Sequence, residues 1–144
     1  MTRRGLTVSV LAVGLVALAG CAGQEVAPAA VTPPGPHYQR VSVVFPPFPE
    51  YLHGMGTLYV DPSTLPAGPF LAYDRQGHLV ATMYMIPIRD FETHKDLVDL
   101  GVAPGMTPLR TQLYYNAGHP GVAMPHYHVV LWHVPKSDEA AVAK

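Results

Sequence analysis

The sequence predicts a mainly β domain of the α+β type, in which an antiparallel sheet of about six strands is accompanied by a short helix. The chain has 144 residues, which is too short for more than one ordinary domain. Its 16 prolines argue against a helical bundle, because a proline inside a helix breaks it. Short runs of β-branched and aromatic residues recur between turns rich in Pro and Gly, as is typical of strands.

The globular β-rich domain is expected over residues 38–135. The turn Asp74–Gly77 separates two apolar runs, so it predicts a hairpin in which Gly77 has a positive φ angle. Six segments have the composition of strands, namely 41–45, 57–60, 70–74, 78–86, 109–115 and 125–134.

One segment, 90–100, has the signals of a helix. Either Asp90 or Thr93 can cap its beginning, and Gly101 can end it. We expect the acidic side chains of this helix to form a solvated face. Residues 136–144, which follow the domain, are expected to be a polar tail.

The composition excludes several classes of function. Charged residues make up 13% of the chain, the net charge is −1 and no basic run is present, which argues against nucleic acid as a partner. A single cysteine cannot form an internal disulfide. The chain lacks a Gly-x-Ser-x-Gly motif, a phosphate loop and a dinucleotide fingerprint. We therefore expect a protein without enzymatic activity.

The N-terminus has the pattern of an export signal. Arg3 and Arg4 precede the apolar stretch 7–19, which is too short to span a membrane. The stretch ends in Leu18-Ala-Gly-Cys21, which resembles the lipobox of bacterial lipoproteins. The resemblance implies that residues 1–20 are a signal peptide and that Cys21 carries acyl chains such as palmitate. A plain secretory peptide with an incidental cysteine is the alternative, and the two arginines leave the general and the twin-arginine export routes open.

Residues 21–37 comprise the lipidated cysteine and a stretch rich in Pro and Ala. Such a stretch buries too little apolar surface to fold and is expected to act as a tether. The predicted location is therefore the cell envelope, where lipid on Cys21 anchors the protein to the membrane and the domain faces the periplasm or the cell exterior. Inner and outer membrane are not distinguished.

Histidines near the C-terminus form the strongest chemical feature. Because side chains two residues apart on a strand point the same way, His126 and His128 share a face, and His119 from the preceding loop can supply a third nitrogen. Such a set predicts a zinc or copper site, with ring nitrogens within roughly 3–4 Å of one another. Three methionines could add soft ligands for copper, namely Met83, Met85 and Met124. A polar core or a subunit contact in a homo-oligomer is the alternative interpretation of the same histidines.

Several motifs occur in an order that resembles a family of uncharacterised secreted bacterial proteins and lipoproteins. They are Gly54-Met-Gly-Thr-Leu-Tyr-Val60, the segment 70–87 with its Tyr-x-x-Pro ending, and Gly118-His-Pro-Gly121 followed by Met124-Pro-His126-Tyr127 and Trp132. The resemblance covers residues 54–135 and implies no established activity. This chain departs from the pattern at Leu58, Met83 and Val130, where the family pattern has His, Glu and His.

Two hypotheses follow. The first is a lipid-anchored, non-enzymatic binding or structural module of the cell envelope, with His119, His126 and His128 as its site and no certain cofactor. The second is a zinc- or copper-binding protein, or a metal-dependent enzyme, that uses the same three histidines. The ligand, the protein partner and the oligomeric state stay open.

Overall fold

The computed structural model describes residues 34–142, and in them a six-stranded antiparallel sheet confirms the predicted fold class. The strand order is β1-β2-β3-β4-β6-β5. The strands are β1 (Gln39–Arg40), β2 (Thr57–Val60), β3 (Phe70–Tyr73), β4 (Leu79–Pro87), β5 (Arg110–Asn116) and β6 (His126–Trp132). The predicted signal peptide, the lipidated Cys21 and the tether up to residue 33 lie outside the described residues.

No helix among residues 34–142 is long and apolar enough to cross a membrane.

The β3–β4 hairpin forms as the sequence predicts. The backbone amide of Asp74 donates to the carbonyl of His78 at 3.0 Å, and Gly77 has a φ angle of +84°. The side chain of Asp74 accepts hydrogen bonds from the backbone amides of Gln76 and His78 at 2.9 and 2.8 Å. An aspartate that bonds its own turn in this way stabilises the reversal before pairing begins.

Both faces of the sheet are covered, so that every residue of β4 is buried. On the face that carries Leu58, Phe70, Met83 and His128, here called the inner face, the chain segments 41–55 and 118–125 pack as a cover. On the opposite face, Ala103 and Met106 pack over a second cluster, which consists of Tyr59, Leu71, Tyr73 and Leu79. The β6 strand alternates between the more buried inner face and the partly buried opposite face.

The strand predicted over residues 41–45 is wrong, since Val41–Val44 form a helical turn, α1. Residues 39–40 already pair with the β2 strand as β1. The turn then places Val41, Val44 and Phe45 on one side, against the core, and leaves Val43 65% exposed. Burial with helical spacing therefore overrides the β-propensity of the run.

The helix predicted over residues 90–100 is also corrected, because α2 spans only Ile88–Glu92. Thr93 ends the helix rather than beginning it, and its hydroxyl donates to the carbonyl of Arg89 at 2.8 Å. Asp90 is buried and pairs with Lys95 at 2.8 Å, so it does not belong to a solvated face. The chain beyond Thr93 leaves the helical path and covers the opposite face of the sheet, where the hydroxyl of Tyr84 donates to the carbonyl of Gly101.

The segment expected as a polar tail forms a 3-10 turn at Lys136–Asp138 and a short helix, α3, at Glu139–Val142. Val142 is fully buried, and its carbonyl accepts a hydrogen bond from the amide of Gly54 at 2.7 Å. Glu139 forms an ion pair with Arg110 of the β5 strand. The α3 helix therefore packs against the inner-face cover, because this contact buries the side chain of Val142.

Two glycines, Gly54 and Gly56, provide a test of how the turn before β2 packs against β3. Gly56 has a φ angle of +97°, and a Cβ atom there would lie 2.2 Å from the carbonyl oxygen of Tyr73, whereas Gly54, at +80°, has no atom within 4 Å of such a Cβ. We expect Gly54→Ala to cost about 1–2 kcal/mol, the usual penalty of a left-handed backbone. Gly56→Ala should cost at least twice as much, as measured by urea denaturation. Equal costs for the two variants would contradict the packing of this turn against β3.

Candidate metal centre

The β6 strand carries two of the three candidate ligands on the inner face. His126 is fully buried and His128 is 7% exposed. Because β6 pairs with β4 on one side and with β5 on the other, His128 lies directly between Met85 and Tyr114 in the sheet. The predicted shared face of His126 and His128 is thus present, and it sits in the middle of the paired strands.

The third ligand, His119, comes from a tight loop. The backbone groups of His119 and Val122 exchange two hydrogen bonds of 2.9 Å, and the side chain of Asn116 accepts from the amide of Gly118 at 2.8 Å. Gly118 has a φ angle of +130°, and a Cβ atom there would lie 2.9 Å from the carbonyl oxygen of Ala123. This loop needs a glycine at position 118 to close tightly enough to bring His119 over the sheet.

The loop and the strand bring all three imidazoles together. The ring centroid of His119 lies 5.0 Å from that of His126 and 5.5 Å from that of His128. One nitrogen of each ring can be chosen so that the three atoms lie within 4.8 Å of one another, and such a cluster could hold a metal ion. The spread is somewhat wider than the roughly 3–4 Å expected for a zinc-bound set.

Backbone carbonyls fix the protonation of two of these rings. The Nδ1 atom of His126 lies 2.7 Å from the carbonyl oxygen of Met124, and the Nδ1 atom of His119 lies 2.9 Å from that of Pro120. Since a carbonyl only accepts, both Nδ1 atoms carry hydrogen, and in the neutral ring each Nε2 atom holds a lone pair. A hydrogen bond from the ring nitrogen that does not bind the metal is the usual way in which proteins orient a metal-binding histidine.

The Nε2 atoms of His126 and His128 lie only 2.7 Å apart. Because the Nε2 atom of His126 holds a lone pair, the Nε2 atom of His128 donates to it, and the hydroxyl of Tyr114 then donates to the Nδ1 atom of His128 at 3.0 Å. A tetrahedral zinc ion would set the two Nε2 atoms about 3.3 Å apart, given Zn–N bonds of about 2.0–2.1 Å. An ion could therefore replace the shared proton after a small separation of the rings and a reversal of the Tyr114 hydrogen bond.

Burial keeps His128 neutral. Burial, together with the neighbouring charges of His126 and His119, lowers the pKa of His128 from 6.5 to about 4. Among residues 34–142, the cluster contains three histidines and no carboxylate. Neutral imidazole is the form that binds a metal ion, so no proton must leave His128 at neutral pH before binding.

The three methionines predicted as further ligands differ in where their side chains lie. Met85 is the cross-strand neighbour of His128, and Met83 is buried on the same face. Met124 contributes its carbonyl oxygen, while its side chain is 43% exposed. His133, which is not one of the predicted ligands, lies on the opposite face, where its Nε2 atom forms a hydrogen bond of 2.9 Å with the hydroxyl of Thr82.

Tyr114 also belongs to the centre, although no motif in the sequence singles it out. Its ring lies 4.8 Å from that of His128, between centroids, and its hydroxyl bonds that histidine. Alternation along β5 could have placed Tyr114 on the inner face, but only the pairing register with β6 puts it beside His128. That register depends on the loop length between the strands and is absent from the local sequence pattern.

The fold and the site together define a small antiparallel β protein with a three-histidine centre on one buried face. The chain is similar to a solved structure described as a hypothetical protein, TTHB210 from Thermus thermophilus, with 42% identity and a TM-score of 0.61. The match covers 67% of this chain and 94% of that one, so the chain belongs to the same family. No protein-family model and no curated protein matches the chain.

The lowered pKa of His128 predicts how the metal-free fold responds to acid. The folded pKa is about 4 and the ordinary value is 6.5, so the unfolded chain binds more protons between these values. The free energy of unfolding should thus be constant above this window and should fall by up to about 3 kcal/mol as the pH drops through it. Urea denaturation in the presence of a chelator measures this dependence.

His128→Gln should lose most of that pH dependence. The remainder belongs to His133, since burial lowers the pKa of that histidine as well. The matched variant His37→Gln changes an exposed histidine and should retain the full dependence. If His128→Gln kept the same slope as the parent chain, the neutral buried state of His128 would be refuted.

Proposed function

We propose that this protein is a lipid-anchored, non-enzymatic binding module of the cell envelope and that its ligand is a transition-metal ion. The observation that carries the proposal is the convergence of His119, His126 and His128, whose ligand atoms lie within 4.8 Å. Two of these rings are oriented by backbone carbonyls at Nδ1, which turns the Nε2 atom toward the cluster as the ligand atom, and in His126 a metal ion would replace the hydrogen bond from His128. Packing alone does not require this arrangement of lone pairs.

Zinc is the ion that the donor set favours. Three neutral imidazoles suit Zn²⁺, which binds histidine nitrogen readily and leaves a fourth position for water or another donor. A blue-copper site needs a thiolate, and the sole cysteine of the chain is Cys21, which the lipobox resemblance assigns to lipid.

Copper is the second candidate, and one observation favours it. Met85 is the direct cross-strand neighbour of His128 on the inner face, so a thioether lies beside the imidazoles. Thioether and imidazole together suit Cu(I) better than Zn²⁺. An open coordination position would also serve a metal-dependent enzyme, although none of the described residues adds a carboxylate base to the cluster.

The envelope location rests on the lipobox and the tether. Several acyl chains on one residue give a stable anchor, since each buried CH₂ contributes roughly 0.8 kcal/mol. Residues 22–37 would then hold the domain away from the lipid surface. In this arrangement the metal centre is carried by an anchored domain outside the cytoplasm.

Elemental analysis tests the metal centre. We expect one zinc ion per chain after incubation with zinc and removal of the excess, and a gain of about 2.7 kcal/mol in stability at a free zinc concentration of 100 times the Kd. His126→Ala/His128→Ala should abolish both the bound zinc and the gain in stability. The exposed-site variant His37→Ala is the control and should behave like the parent chain.

His119→Gln serves where the double variant fails to fold, because position 119 is in a loop and is only half-buried. It should fold and bind zinc more weakly. Titration of the parent chain and of Met85→Leu with Cu(I) and with zinc separates the two ions. If the site is a copper site that uses the thioether, Met85→Leu should bind Cu(I) more weakly than the parent chain, whereas its zinc affinity should be unchanged. Absence of bound metal, with thermal stability unchanged by zinc and by copper, would eliminate the metal function.

The anchor is tested at Cys21, the only cysteine of the chain. After expression in a bacterial host, the Cys21→Ser chain should not incorporate labelled palmitate and should leave the membrane fraction on alkaline extraction. Gln24→Ala, three residues further on, is the control and should stay in the membrane fraction. Membrane retention of exported Cys21→Ser would rule out the lipid anchor.

A further inference from the structure

An apolar cavity of about 300 Å³ lies beside the metal centre on the inner face. Three of the four Phe and three of the six Met of the chain line it. Among the residues that the structure describes, no Lys, Arg, Asp or Glu lines the cavity. The six residues are Phe45, Phe48, Phe70, Met55, Met83 and Met85. A concave apolar site of this size is at the small end of ligand pockets, and flexible thioethers allow it to adapt to different shapes.

The polar side chains in the lining are Tyr114, Asn116, His119 and His128, so most of them belong to the metal centre or its hydrogen-bonded partner. His126 is fully buried and takes no part in the lining. His119 and His128 line the cavity, so the centre borders it through two of its three rings. A ligand in the cavity therefore approaches the centre from the side of these two rings.

Charge decides which ligand fits. A divalent ion held by three neutral imidazoles keeps its full positive charge, because the described part of the chain adds no carboxylate to the centre. A buried charge without a partner is unfavourable, so the fourth position attracts an anion. The cavity walls favour an apolar body next to that anion, since burying apolar surface stabilises the complex.

We propose that the cavity binds a small amphiphilic monoanion, an apolar chain or ring that ends in a single carboxylate. The carboxylate occupies the fourth position on the metal ion and the apolar body fills the cavity between the Phe and Met side chains. This inference rests on the proposed metal-binding function and names the class of ligand that the same site takes.

Octanoate is the probe. Acetate, which has the carboxylate but not the long alkyl chain, and octan-1-ol, which has the alkyl chain but no charge, are the controls. The Cys21→Ser full chain is used so that no detergent competes for the cavity. Isothermal titration calorimetry measures the affinities. Octanoate should bind the zinc-loaded chain at least about tenfold more tightly than it binds the zinc-free chain. It should also bind the zinc-loaded chain at least about tenfold more tightly than acetate does. In the Co²⁺-loaded chain, octanoate and acetate should change the visible spectrum, and octan-1-ol should not.

Leu52→Trp blocks the cavity without changing a histidine, because Leu52 is a half-buried residue of the lining. It should abolish the preference for octanoate over acetate while zinc content stays the same. Leu113→Trp makes the same change at a β5 position that is 60% exposed, and it should leave octanoate binding unaltered.

The outcomes separate the two proposals. Normal zinc content with no preference for octanoate over acetate overturns the ligand class and leaves the metal function standing. Equal octanoate affinity with and without zinc shows that the head group is not on the metal, and it overturns the inference too. Failure to take up any metal defeats both proposals, and elemental analysis of the same sample identifies that case.

Discussion

The antiparallel register of β6 between β4 and β5 is the constraint on which the rest of the site depends. Each side of β6 has seven paired positions, and this pairing sets Met85, His128 and Tyr114 in one row across the sheet. A slip of one residue would turn His128 to the opposite face, away from the loop of His119. The centre is therefore a property of strand pairing, which the long β4 and β6 ladders hold firmly.

The sequence predicts those parts of the fold whose signals are local and strong. The alternation after Pro125 places His126 and His128 on one face, and the Asp74–Gly77 turn forms its hairpin because the side chain of Asp74 bonds the turn itself. The run 41–45 misleads because a short β-branched segment adopts whichever conformation buries its apolar side chains, and residues 39–40 already occupy the edge of β2. The helix signals after Asp90 fail for a related reason, since the chain there must cross and cover the opposite face.

In the candidate site, too, some residues can be predicted from local sequence and others depend on tertiary structure. Spacing along β6 is sufficient to pair His126 with His128, and a loop histidine is a natural third member. The contributions of Tyr114 and of the Met124 carbonyl depend on long-range register and on the path of the loop, neither of which leaves a local pattern. The cavity depends on tertiary structure even more strongly, because residues from five strands, β2 to β6, and from the cover around Phe45 and Leu52 line it.

A centre built only from neutral imidazoles has a consequence for how metal and ligand act on each other. Without an ion, His126 and His128 satisfy one another through a shared proton, so the empty state is itself stable. An incoming divalent ion loses water and gains no negative partner from the protein, which limits its affinity. An anion that arrives through the cavity supplies that charge. By thermodynamic linkage each of the two then strengthens the binding of the other by the same factor, so retention of the metal would report the presence of the amphiphile.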